Sequence, residues 1–255
     1  MKKKLSILSA LLLCIATLTG CGNTLSVSST DVTEPHSAVL KETEDMGREY
    51  IDGFIFFGES TTYHLKSRGV LRGGTETKQV LHDRSGTAIL DSSTWRMAVI
   101  SQKHGEYVSL GEAISELKPK RILLTFGLNG AVANKKRGEE FYKECYRKLI
   151  NTVREASPQT RIILGSCFPV AENMDMSRYT VTASELNEII ATLNGWTLEL
   201  AEDDGLYYLN VNEILTDEKG YLKNEYQVGD GHHLTAEAYT HILGYIRTHG
   251  IKEDA

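Results

Sequence analysis

Residues 53–63 read GFIFFGESTTY. After Gly53, four apolar residues (Phe54, Ile55, Phe56 and Phe57) run directly into Gly58-Glu59-Ser60-Thr61-Thr62. A short continuous apolar run fits a strand buried on both faces, as in a parallel sheet. It stops at a glycine, and a carboxylate and three hydroxyl side chains follow. Ser60 is therefore either a helix cap or a nucleophile presented at the edge of a sheet. The rest of the chain bears on that choice.

Three more runs resemble the first: Arg121–Phe126, ended by Gly127; Arg161–Ser166; and Leu206–Leu209. Amphipathic patterns with i, i+3, i+4 spacing lie between and around them, over Leu110–Leu117, Glu139–Ala156 and Ala183–Leu200. A last helix is expected over Thr235–Thr248, with Thr235 as cap and Glu237 in its first turn. Strands alternating with helices predict an α/β fold, a three-layer α/β/α sandwich around a central, mostly parallel sheet. Gly69–Tyr107 is less regular and is expected to hold short strands and loops at the sheet edge.

The N-terminus has a different character. Lys2-Lys3-Lys4 precedes an apolar stretch from Leu5 to Leu18, and Leu18-Thr19-Gly20-Cys21 follows. A basic start, a short apolar core and small residues before a cut site describe a secretory signal. The cysteine after Gly20 makes this resemble a bacterial lipoprotein lipobox. That resemblance implies cleavage before Cys21 and diacylation of it. The predicted organisation is a signal peptide over 1–20, lipidated Cys21 with a flexible tether over 21–50, and a folded domain over 51–255. The expected location is extracytoplasmic, held to the membrane by the lipid at Cys21.

The chain has 255 residues, 41 % of them apolar, enough for one substantial core. Without the signal, 25 basic residues face 34 acidic ones, a formal charge of −9. An acidic chain with no basic block is not expected to bind nucleic acid. Charge would also oppose binding to anionic lipid, so the anchor must do that work. Cys145 and Cys167 remain after Cys14 and Cys21 are set aside, and they are expected as two separate buried thiols.

In open α/β sheets, ligands bind beyond the carboxyl ends of the strands. Three such segments carry polar chemistry: Gly58-Glu59-Ser60-Thr61-Thr62, Gly127-Leu128-Asn129-Gly130, and Gly229-Asp230-Gly231-His232-His233-Leu234-Thr235. Together they suit acyl transfer. A serine hydroxyl needs a base, an imidazole can take its proton, and a carboxylate can hold the imidazole in the right tautomer. Asp230 lies three residues before His233, close enough to fold back on its ring. The oxyanion needs donors, and the Asn129 amide and the Ser60 N–H are candidates.

These segments resemble the blocks of the SGNH (GDSL-type) hydrolases. The family's Gly-Asp-Ser stands here as Gly58-Glu59-Ser60. Its Gly-x-Asn-Asp stands as Gly127-Leu128-Asn129-Gly130, and its Asp-x-x-His as Asp230-Gly231-His232-His233. The resemblance runs from Phe54 to about Ile246 and implies the flavodoxin-like SGNH hydrolase fold. It implies Ser60 as nucleophile, His233 as base and Asp230 as the acid that orients it. It implies Ser60, an isolated glycine and Asn129 as oxyanion donors; Gly86 is the best candidate for that glycine, with Gly74 and Gly105 as alternatives. Glu59 in place of aspartate and Gly130 in place of aspartate are departures, and neither removes a catalytic atom. The missing second glycine of a Gly-x-Ser-x-Gly elbow, where Thr62 stands, disfavours an α/β-hydrolase.

Glu59, His64 and His232 are candidates to line the substrate pocket. His64 lies one helical turn after Ser60 and is a competing base. Asp230, His232 and His233 could alternatively hold a metal, but adjacent histidines point apart and no second cluster has ligand spacing. Neither a metal nor another cofactor is expected. The expected function is a membrane-anchored serine esterase, a monomer, cleaving a small acyl ester such as an O-acetyl group on a glycan. The alternatives are a catalytically degenerate ligand-binding lipoprotein on the same fold, or an acyltransferase using the same residues.

Overall fold

The computed structural model describes residues 37–252. The expected signal peptide, Cys21 and the first part of the tether lie outside the described residues. Among the described residues no helix is long and apolar enough to cross a membrane.

The elements follow in the order α1 (Gly47–Asp52), β1 (Phe54–Gly58), α2 (Ser60–Ser67), β2 (Val80–Leu81), β3 (Ala98–Ile100), β4 (Tyr107–Ser109), α3 (Leu110–Leu117), β5 (Arg121–Thr125), α4 (Ala131–Arg137), α5 (Glu139–Ala156), β6 (Arg161–Gly165), α6 (Ala183–Asp203), β7 (Tyr207–Leu209), α7 (Asn212–Leu215) and α8 (Ala236–Thr248). Five strands form one sheet in the order β2-β1-β5-β6-β7, and every neighbouring pair is parallel. This is the flavodoxin-like order. The chain leaves β1 toward β2 on one side and comes back to β5 on the other. The crevice for a ligand therefore opens beyond the carboxyl ends of β1 and β5.

Alternation along the strands explains the layers. Ile55, Phe57, Ile122, Leu124, Ile162 and Leu164 point to one face, where they pack with Ile114 of α3, Leu149 and Val153 of α5, and Leu186 and Leu193 of α6. Phe54, Phe56, Leu123 and Ile163 point to the other, where they meet Tyr50 and Ile51 of α1, Leu65 of α2, and Tyr239, Ile242 and Ile246 of α8. Both faces are covered, so each strand has to be apolar at every position and not at every second one. Burial of each such phenylalanine or leucine contributes roughly 1.5–3 kcal/mol.

The helices over Leu110–Leu117 and Glu139–Ala156 have the predicted bounds. The one predicted to end at Leu200 continues to Asp203. Thr235 caps α8 by accepting from the Ala238 N–H, as its position suggested. Gly69–Tyr107 holds the short edge strand β2 and β3, which pairs antiparallel with β4 in a separate ribbon. Cys145 and Cys167 are both free and buried.

Against the tether expected over 21–50, residues 37–50 are part of the folded unit. Val39 pairs parallel with Tyr208 of β7, Ala38 and Leu40 are buried, and Tyr50 and Ile51 belong to the core. Their apolar positions are too sparse to show a period, so the sequence around them reads as polar linker.

Candidate active site

The strand β1 ends at Gly58, where the chain passes so close to β5 that a Cβ would lie 2.2 Å from the Thr125 carbonyl oxygen. Only glycine fits. Glu59 then takes an extended conformation as the N-cap residue of α2, and Ser60 is the first residue of that helix. Ser60 is thus not the cap. Its N–H is one of the amides that a helix N-terminus leaves without an intrahelical acceptor.

The Ser60 hydroxyl lies 3.1 Å from His233 Nε2. On the other side of the ring, Nδ1 lies 2.7 Å from Asp230 Oδ2. Asp230 Oδ1 accepts the backbone N–H groups of His233 at 2.9 Å and His232 at 3.1 Å. Partial burial pushes the Asp230 carboxyl up, but these N–H bonds and the imidazole outweigh it and hold the group down at about 2. An ionised carboxylate on Nδ1 keeps the proton there and leaves Nε2 free to accept one from the hydroxyl.

Glu59 was expected to line the pocket, and it does not. Its side chain is 2 % exposed and turns away from α2 toward the loop after β5. There Oε1 accepts the Gly127 N–H at 2.9 Å, Oε2 accepts the Leu128 N–H at 3.1 Å, and both oxygens accept the Asn129 N–H, at 3.0 and 3.1 Å. Gly127 is required in this loop because its φ is +145° and a Cβ would sit 2.8 Å from that of Cys167. Burial pushes the Glu59 carboxyl up to about 7, even though the three N–H bonds pull it down.

The Asn129 side chain donates one amide hydrogen to the Ala88 carbonyl oxygen at 3.3 Å. A primary amide has two such hydrogens, so the second remains for a ligand. The glycine candidates fare differently. The Gly86 N–H donates to Asp83 Oδ1 at 2.8 Å. The N–H groups of Gly74 and Gly105 donate to Leu71 and Ser101 carbonyl oxygens. Each of the three amides is therefore engaged within its own turn, which a single glycine letter cannot reveal. Ser60 and Asn129 are the donors of the predicted set that the geometry leaves available.

His64 and His232 flank the central imidazole, with ring centroids 4.5 and 3.9 Å from that of His233. Burial, with His233 beside it, holds the His64 imidazole down at about 4, so it is neutral at neutral pH. Its Nδ1 is buried without a hydrogen-bond partner. It is His233, not His64, that meets the serine oxygen. His232 is likewise lowered by burial and by His233. Asp230, His232 and His233 do place ligand-type atoms within 4.8 Å of one another, but the 2.7 Å contact of Asp230 with His233 Nδ1 is already a hydrogen bond.

A sequence family described as GDSL-like lipase/acylhydrolase matches residues 56–241. The chain belongs to the GDSL-like lipase/acylhydrolase family. It is accordingly a hydrolase acting on ester bonds. Among solved structures, a candidate acylhydrolase from Bacteroides fragilis is 15 % identical, with 76 % of this chain and 84 % of that one covered at a TM-score of 0.51. A GDSL-like lipase from Bacteroides thetaiotaomicron is also 15 % identical, with 79 % and 88 % covered at 0.51. At this identity the likeness shows the fold. Comparison with curated proteins found no match.

Two participants of this GDSL-like site escape a reading of the sequence. One is the Glu59 carboxylate as an anchor for the loop after β5. The other is Asp83, which takes up the Gly86 amide. The only advance signal was indirect: Gly127-Leu128-Asn129-Gly130 has four amides and no acid of its own, and Glu59 is the carboxylate at the neighbouring strand end.

Proposed function

We propose that this member of the family is a serine esterase in which Ser60, His233 and Asp230 carry an acyl-enzyme mechanism. The observation that supports it is the unbroken chain from Ser60 Oγ to His233 Nε2 and from Nδ1 to Asp230. The Ser60 hydroxyl attacks the ester carbonyl while His233 Nε2 takes its proton. Asp230 stabilises the imidazolium that results. The Ser60 N–H and the second Asn129 amide hydrogen receive the oxyanion. His233 then returns the proton to the leaving alcohol, and a water deprotonated by the same ring hydrolyses the acyl-serine.

The substrate of this reading is a small acyl ester, with an O-acetyl group on an envelope or environmental glycan as the first choice. The N-terminal sequence supports that choice: a lipidated Cys21 would hold the domain outside the cytoplasm at the membrane, where such esters occur.

Hydrolysis of a chromogenic short-acyl ester by the wild-type protein and by Ser60→Ala tests the reading. The variant is expected to lose nearly all turnover and all labelling by a fluorophosphonate. Equal turnover in the two proteins would remove Ser60 from the chemistry.

A further inference from the structure

The mechanism above gives the buried carboxyl group of Glu59 no task. Glu59 directly precedes the nucleophile, and both of its oxygens are committed to three successive amides of the loop after β5. The third of those amides belongs to Asn129, whose side chain is the oxyanion donor. One carboxylate thus joins the turn that presents the serine to the loop that presents the donor.

The setting shows what holds the group there. No salt bridge reaches Glu59 among the described residues. The titratable groups packed near it are the Tyr142 and Tyr146 phenols of α5 and the Cys167 thiol after β6, all raised by burial and all neutral at neutral pH. Tyr142 is bonded to Thr197, and Tyr146 donates to the Phe126 carbonyl. The negative charge is therefore met by backbone N–H groups alone.

We propose that Glu59 is a positioning residue that, as a carboxylate, clamps Gly127–Asn129 so that the Asn129 amide stays at the oxyanion position. The proposal rests on the Ser60 and Asn129 roles given above. The ionised group accepts from all three amides. The protonated group places an O–H on one of the two oxygens and faces an N–H donor with another donor, which loosens the loop. The clamp is closed at alkaline pH and opens on acidification. Burial has moved the carboxyl up to about 7, so the opening falls within the ordinary working range and not far below it. The clamp acts on the transition state and not on ground-state binding, because the oxyanion exists only there.

A double-mutant cycle separates this from a merely structural role. The kinetics of short-acyl ester hydrolysis are measured for wild type, Glu59→Gln, Asn129→Ala and the double variant, with thermal melts to verify folding. Glu59→Gln is expected to lower kcat by roughly tenfold to a hundredfold, less than or equal to the loss of a full donor, with KM little changed. In the Asn129→Ala background the same substitution is expected to cost little more, since the group it positions is already gone. Glu59→Asp restores a carboxylate and is expected to recover most of kcat with a displaced acid limb in the pH profile. Unchanged kcat in Glu59→Gln, or an equal loss in both backgrounds, would overturn the clamp. If Glu59→Gln does not fold, the same cycle with Glu59→Asp decides: a wild-type acid limb, or a loss of equal size in both backgrounds, overturns it. Ser60→Ala run in parallel tells the two readings apart. An active Ser60→Ala ends the esterase assignment, whereas an inactive one beside an additive cycle ends only the clamp.

Discussion

Asp230 receives two hydrogen bonds from one residue, the backbone N–H of His233 on Oδ1 at 2.9 Å and the ring Nδ1 on Oδ2 at 2.7 Å. Main chain and side chain of the histidine are thus fixed against the same carboxylate. The ring cannot turn without losing a bond that the backbone geometry has already set up.

Asp230→Asn should keep this shape and reverse its electronics. An amide can donate to Nδ1, which favours the tautomer with its proton on Nε2 and spoils the base. In a catalytic triad that change lowers kcat roughly ten-thousandfold, and a loss of that order is expected here. Steady-state kinetics beside a thermal melt would check it. A variant within tenfold of wild type would mean that Asp230 does not orient the base.

Asn129→Ala removes the side-chain donor and leaves the Asn129 backbone N–H on Glu59 in place. The expected loss is roughly 10²–10³ in kcat, the usual effect of deleting one oxyanion donor. KM should move little, since the ground-state carbonyl needs the donor less. Loss confined to KM would point to a substrate-binding role for the amide.

Two groups at the site bend the pH dependence of stability in opposite directions. Glu59 has its folded pKa, about 7, above the ordinary 4.5. Its contribution is therefore fully present below about 4.5 and is lost as pH rises through 7. His64 lies at about 4, below the ordinary 6.5. Its contribution is present above 6.5 and is lost as pH falls through 4. Glu59→Gln removes the first effect and keeps the second. Between pH 7 and 4.5 its melting temperature should drop more steeply on acidification than that of the wild type. Parallel slopes in the two proteins would show that Glu59 does not carry a raised pKa.

Much of the fold could be read ahead of the structure because the four longer apolar runs had to be apolar throughout. Phe54 to Phe57 alternate between two faces that are both covered, and only a parallel sheet between helix layers asks for that. The helices were legible from the same cause seen from the other side: each buries one stripe, as Leu149, Ile150 and Val153 do on α5. The edge was not legible. Val80 and Leu81 form only two residues of strand, too short for any period. Residues 38–40 depend on β7 for their place, and no local pattern records a partner almost 170 residues away.

At the site, the groups that the fold brings into contact as the sequence suggests are those whose chemistry is rare in combination: a serine after a strand, and an aspartate three residues before a histidine. The sequence misjudged groups whose role depends on direction. Glu59 points inward, away from any substrate, and the Gly86 amide points at Asp83. A letter gives the donor or acceptor, and only the fold gives the vector.

Tyr239 of α8 donates a hydrogen bond to the carbonyl oxygen of Thr61, the residue after Ser60. That bond and the Ser60–His233 contact both reach back across the chain, the latter over 173 residues. During synthesis Ser60 therefore emerges early and without His233, and at 5–20 residues per second it waits roughly 9–35 s for it. Over that interval the hydroxyl is an ordinary alcohol. The contact that sets Ser60 apart from the other serines is thus timed by chain length, and a chain that stalls before His233 never makes it.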